Sequence, residues 1–241
     1  NFILGILTFI LFFFLQGGVP DVTTNQVTVT DGGALQAAGV ETGVRILEIN
    51  GQQVSDYKDV SNILAQVNEK AKEAPVLNLL VEEDGKEKTL QVTTIKDQGY
   101  FRLGVSPYLK TGFVETIVGG FQEAGATALL IVNALKNIIA SFDVKQLGGP
   151  VAIYNVSSQA AEGGILPVLR LLAMLSINLG IFNLIPIPAL DGGKILINLI
   201  EAIRRKPLKQ ETESYITLVG VAIMVVLMLV VTWNDIMRVF F

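Results

Sequence analysis

The apolar positions are not spread evenly along this chain. Residues 1–15 are apolar on every face, a long apolar run extends from Ile165 to Ile203, and a third covers Tyr215–Val231. From about Val19 to Ile95 the pattern is polar and of short period. The first run falls short of the ~20 residues that a spanning helix needs, and the second is too long for one straight span. The pattern therefore predicts a membrane protein with a polar insert.

Within the insert, Gly43–Gly51 reads as a short strand closed by the Asn50-Gly51 turn. Val60, Ile63, Leu64 and Val67 recur at helical spacing, with Ser55 or Asp56 as N-cap and Pro75 as the stop. A strand at Val76–Val81, a turn at Asp84-Gly85 and a strand at Lys88–Ile95 follow. Arg102–Pro107 reads as a linker strand. In residues 115–140, Glu115, Gln122, Asn133, Lys136 and Asn137 fall on one side of a helical projection. Ile117, Phe121, Ala128, Ile131, Leu135 and Ile139 fall opposite, which favours an amphipathic helix lying on the membrane surface over a spanning one. Gly148-Gly149-Pro150 ends it.

Composition sharpens this picture. The 241 residues are 51% hydrophobic and 17% charged, with net charge −4 and no basic stretch suited to nucleic acid. No cysteine is present, so neither a disulfide framework nor a thiolate site exists, and there is no histidine. Arg204, Arg205, Lys206 and Lys209 lie between two apolar runs and read as a cytoplasmic loop. Arg170 can snorkel to an interface, and Trp233 can anchor the last span there.

The informative stretch is Asn178–Gly193, where two asparagines, two prolines, Asp191 and a glycine pair interrupt apolar sequence. Pro186 and Pro188 forbid an undistorted helix, and irregular backbone survives in lipid only where protein or water satisfies it. A carboxylate at bilayer depth is a functional-site hypothesis by default. Asn183-x-x-Pro186-x-Pro188-x-Leu190-Asp191-Gly192 resembles the signature of the site-2 protease family of intramembrane zinc metalloproteases.

The resemblance implies that Asp191 is a Zn2+ ligand beside two histidines of a His-Glu-x-x-His helix. It implies that Asn183 acts on substrate in catalysis, and that Pro186, Pro188, Leu190 and Gly192 shape the site. With no histidine, these residues lack two ligands and the general base. The start on Asn1 and a family-like Asn-Phe opening lead us to expect a chain cut short upstream. Ala34–Gly39 and the elements after it resemble a bacterial PDZ domain, with Val44 where an Asp is common. Such domains bind extended peptides by strand addition; a steric filter is the other reading.

The expected fold is thus a multi-pass α-helical membrane protein with an inserted α+β PDZ domain. Its expected segments are a transmembrane helix at 1–18, the PDZ domain at 19–98, and a linker strand with a surface helix at 99–164. An interrupted transmembrane helix at 165–203, a basic loop at 204–214 and a last helix at 215–241 complete it. The implied activity is a metalloendopeptidase of the bacterial plasma membrane, its PDZ domain outside the cytoplasm. The implied substrates are transmembrane segments, such as those of anti-sigma factors or remnant signal peptides. Other implied partners are the lipid bilayer and a peptide ligand of the PDZ groove, but no nucleic acid. The rival readings are a non-catalytic PDZ scaffold and a transporter-like ion site, although no internal repeat supports the latter.

Overall fold

The apolar opening folds as α1 (Phe2–Gln16), and the polar zone after it builds a sheet domain. A computed structural model describes residues 1–40, 43–97, 99–141 and 148–240. Glu41, Thr42, Gln98, residues 142–147 and Phe241, which fall within expected segments, lie outside the described residues. Residues Gly17–Glu115 form one unit, and Asn1–Gln16 with Thr116–Phe241 form another.

In the first unit the chain runs through β1 (Val19–Asp21), β2 (Gln26–Val29), α2 (Ala34–Ala37), β3 (Val44–Ile49) and β4 (Gln52–Gln53). It continues through α3 (Tyr57–Lys70), β5 (Val76–Glu83), β6 (Lys86–Thr93), β7 (Ile95–Asp97), β8 (Tyr100–Arg102) and β9 (Val105–Lys110). Antiparallel pairing links β1 to β9, β9 to β2, β2 to β3, β3 to β5 and β5 to β6. β7 and β8 form a separate hairpin.

Turn chemistry sets the register. Asn50 and Gly51 have φ of 53° and 77°, and Asp84 and Gly85 have 50° and 74°, so both hairpins turn through left-handed pairs. Alternation on β5 buries Leu77, Leu79 and Val81, which meet Val60 and Ile63 of α3 and Ile46 of β3 in the core. The N-cap of α3 is Asp56, whose carboxylate accepts the Asp59 N–H at 3.0 Å. Asp59 answers by accepting the Ser55 N–H at 2.8 Å.

One expectation is corrected here. The linker strand expected at Arg102–Pro107 runs into β9, Val105–Lys110, which is a member of the sheet and pairs with both β1 and β2. Its partners lie some eighty to ninety positions earlier, so local sequence could not show the pairing.

The second unit continues with α4 (Phe113–Ser141), α5 (Pro150–Glu162), α6 (Ile165–Leu184), α7 (Asp191–Arg204) and α8 (Gln210–Phe240). Small residues let α1 and α6 approach closely. A Cβ on Gly5 would stand 2.6 Å from Ile177 Cδ1, and one on Gly180 would stand 3.0 Å from the Phe2 ring. Phe9 is fully buried among Ala124, Ala173, Ile177 and Ile181. The hydroxyls of Thr8 and Ser176 donate to the carbonyls of Leu4 and Leu172, so neither enters the apolar core unpaired.

By length and composition, the segments Phe113–Ile138, Ile165–Leu184 and Gln210–Arg238 are each apolar enough to cross a membrane. The first of them was expected to lie on the membrane surface. Its Ala128, Ile131 and Leu135, from the apolar side of the projection, pack on the cluster of Phe9 and Ala124. Phe121, on that side too, is exposed, so the helix is less one-sided than its pattern.

The start of α5 is held from α8. Asp235, buried at 4% exposure, accepts the Ala152 N–H at 3.0 Å. A Cβ on Gly149 would come within 2.8 Å of the same carboxylate oxygen, which explains the glycine before Pro150. Asp235→Ala removes that acceptor and should lower the melting temperature. Asp235→Asn, keeping an acceptor, should cost less; thermal denaturation in detergent ranks the two.

In the sheet domain, burial works against the charged form of Asp21. Bonds from Lys110 (2.8 Å) and Thr23 outweigh it and hold the carboxyl below its ordinary range. The lowered value means the group stabilises the fold above the ordinary 3.8 and stops doing so as pH falls through the folded value. Lys110→Met should therefore flatten the loss of thermal stability as pH falls below 3.8, measured by melting at a series of pH values.

Candidate functional site

Two prolines inside an apolar run need turns that dispense with their missing N–H groups, and the chain supplies two. Beyond α6 the Ile187 N–H donates to the Ile185 carbonyl at 2.7 Å, closing a three-residue turn around Pro186. The Leu190 N–H then donates to the Ile187 carbonyl at 3.0 Å, closing a four-residue turn with Pro188 and Ala189 at its centre. Proline suits the first central position of such a turn, and the second requires positive φ. Ala189 has φ of 100°. Glycine usually fills that place, so Ala189 is held in a strained conformation by what surrounds it.

The surroundings are glycines. A Cβ on Gly192 would overlap the carbonyls of Leu184 and Ile185, and one on Gly193 would overlap that of Ile187. From α8, Gly220 presses on the Pro188 carbonyl so closely that a Cβ there would also overlap it. The loop 185–190 is thus seated against the start of α7 on one side and α8 on the other. Leu190 takes the N-cap position of α7, its carbonyl accepting the N–H of Gly193 at 3.1 Å and of Lys194 at 3.3 Å.

The motif residues fall around this loop. Asn183, half-buried, is in the last turn of α6. Asp191 is the first residue of α7 and is exposed, where a carboxylate complements the helix dipole. Pro186 is exposed, and Pro188 and Leu190 are half-buried within the loop. The Gly192 contact brings the first turn of α7 back against the last turn of α6, so the turns carrying Asp191 and Asn183 are neighbours. Ala189 and Gly220 escaped the sequence reading, and Gly193 entered it only as part of a glycine pair. Gly193 sat in plain view beside Gly192, but nothing local marks Gly220 as a partner of Pro188.

As a metal centre the donor set is incomplete. A catalytic zinc takes three protein ligands. The chain has no histidine, and no group of three His, Cys, Asp or Glu side chains comes together among the described residues. Asp191 offers one carboxylate. These 241 residues do not by themselves fit a zinc ion.

The glycine contacts rank substitutions. Gly192→Ala and Gly220→Ala should each lower the melting temperature by several degrees, because backbone must shift. Gly125→Ala, on α4 where a Cβ would meet nothing within 4 Å, should leave it unchanged or raise it. Ala189→Gly should relieve strain, while Ala189→Val should cost about 1–3 kcal/mol. Thermal denaturation of the five variants checks the order.

Comparison with known proteins gives a consistent result. Peptidase family M50 matches residues 1–227. A protein of Streptococcus pyogenes serotype M1, named "Putative zinc metalloprotease", is 53% identical over all 241 residues, which cover 58% of its length. A Streptococcus pneumoniae serotype 4 protein of the same name is 53% identical, with 57% of its length covered. The "Probable protease eep" of Enterococcus faecalis is 44% identical, also with 57% covered. The chain therefore spans a little over half the length of these relatives. Among solved structures, the PDZ domain of an SdrC-like protein of Listeria monocytogenes aligns with 37% of this chain and 85% of its own. Its identity is 18% and its TM-score 0.27. The corresponding Listeria innocua domain aligns with 39% of this chain and 99% of its own, at 15% identity and a TM-score of 0.29. By the match over nearly its whole length, the chain belongs to peptidase family M50.

Proposed function

We propose that this chain forms the aspartate-bearing part of an intramembrane zinc metalloprotease. The observation that carries the reading is the seated loop itself. A strained, proline-broken segment in apolar sequence delivers one carboxylate, Asp191, to the start of a helix, and it does so in a member of a peptidase family. Strain of this kind clusters where geometry serves function.

Asp191 supplies one zinc ligand. The remaining ligands and the general base come from outside these 241 residues, which contain no histidine. Together with those groups Asp191 would hold the zinc, which when bound would supply Lewis-acid chemistry. Asn183 holds substrate backbone through its amide beside the broken helix. Pro186, Pro188, Leu190 and Gly192 hold the turns that form that wall, so that an unwound substrate segment can lie along it. The substrates are transmembrane segments of membrane-anchored proteins, anti-sigma factors and remnant signal peptides among them. Residues 19–98 lie outside the cytoplasm, and the basic stretch 204–214 lies within it, under the positive-inside rule.

The test uses the native protein purified from its membrane. One zinc per chain and cleavage of a transmembrane peptide are expected. Asp191→Ala should lose metal and at least 100-fold in cleavage rate, with the melting curve retained. Full zinc occupancy and full activity in that variant would refute the ligand role. Absence of both zinc and cleavage from the unaltered protein would favour a non-catalytic scaffold.

A further inference from the structure

The sheet domain carries a groove of the kind that takes peptides by strand addition, between α3 and the edge of β9. Which atoms that edge presents follows from the pairing register. In an antiparallel ladder, alternate residues direct both backbone groups to the same partner strand. The Thr30 N–H donates to the Gly104 carbonyl at 2.9 Å, and Thr28 stands opposite Ser106 in the register of β2. Pro107 faces Val27 but has no N–H, so its neighbour Ser106, opposite Thr28, carries the bonds toward β2. On β1, Pro20 faces Leu109 and likewise cannot donate, so Tyr108 and Lys110 carry those bonds, opposite Asp21 and Val19. Gly104, Ser106, Tyr108 and Lys110 thus all point one way. β1 and β2 lie along one edge of β9 as an interrupted strand, and Val105, Pro107 and Leu109 face the groove.

Two of those three positions are compromised. The Tyr57 hydroxyl, from the first residue of α3, donates to the Val105 carbonyl at 3.1 Å. Pro107 has no N–H to offer an incoming strand. Three turns along the same face of α3, Asn68 holds Phe101 at both ends of its backbone. Its carbonyl accepts the Phe101 N–H at 2.6 Å, and its amide donates to the Phe101 carbonyl at 3.0 Å. The helix is therefore pinned to the chain leading into β9 at two points, which sets the width of the groove. What stays open is a cavity of about 590 Å³ at its loop end, lined in part by Thr30, Tyr57, Leu64, Arg102 and Gly104. A six-residue strand would run about 20 Å, beyond a pocket of that size.

We propose that Tyr57 and Pro107 close this groove to strand addition, so that the domain does not capture extended peptides along β9. Proline on an edge strand is a known device against pairing. The inference does not depend on the protease reading, since it concerns the sheet domain alone.

The test compares the 241-residue chain in detergent with the double variant Tyr57→Phe/Pro107→Val. The probe is a pool of random hexapeptides with free carboxyl ends, and the readout is deuterium exchange at the Leu109 amide. Protection of the Ser106 amide confirms that the variant keeps its β9–β2 pairing. The unaltered chain should show no added protection at Leu109. The variant should exchange there at least ten-fold more slowly with the peptides present. Peptide-dependent protection at Leu109 in the unaltered chain would overturn the proposal. Failure of the folded variant to gain protection would overturn the assignment of closure to these two residues.

Discussion

Backbone polar groups in apolar surroundings must find partners inside the protein, and the loop between α6 and α7 depends on that constraint. Two prolines remove donors from the middle of an apolar run and so end the helix there. Two tight turns then bind the N–H groups of Ile187 and Leu190, and three glycines allow neighbouring backbone close enough to enclose the rest. Asp191 occupies the head of α7 because the break is placed and packed in this way. Remove the glycines, and the turns would have to open.

The same economy of small residues recurs through the helical unit. Gly5 and Gly180 bring α1 onto α6, and Gly149 admits the Asp235 carboxylate to the start of α5. Between helices in an apolar medium, close packing and internal hydrogen bonds take over the role that water plays around soluble folds. The sheet domain is built on other terms. Its core is the alternating apolar face of β3 and β5 closed by α3, and its turns are fixed by Asn-Gly and Asp-Gly pairs.

Much of this was legible from local pattern. The Asp56 cap, the two left-handed turns and the break at Pro186 and Pro188 each follow from residues within a few positions of one another. What could not be read depends on distant partners. β9 joins the sheet through strands from the far end of its domain, and α4 shows its contacts only once Phe9 is placed. Gly220 looks like any glycine in an apolar helix until Pro188 is set against it. Ala189 misleads in the opposite direction, since an alanine gives no hint of positive φ. The Asn-Pro-Pro-Asp spacing marks the broken loop, but the means of holding it are spread over three helices.

The contact between Gly220 and the Pro188 carbonyl ties the loop to a helix long enough to sense the bilayer. A spanning helix answers a change in hydrocarbon thickness by tilting, and neighbouring helices limit how far. On α8 the glycine meets the loop with no flexible side chain between them to absorb movement. A tilt or a turn of α8 about its axis would therefore press on Pro188 or withdraw from it, and the strained turn at Ala189 is the nearest place for that motion to go. Lipid composition thereby becomes a mechanical variable of the segment that carries Asp191.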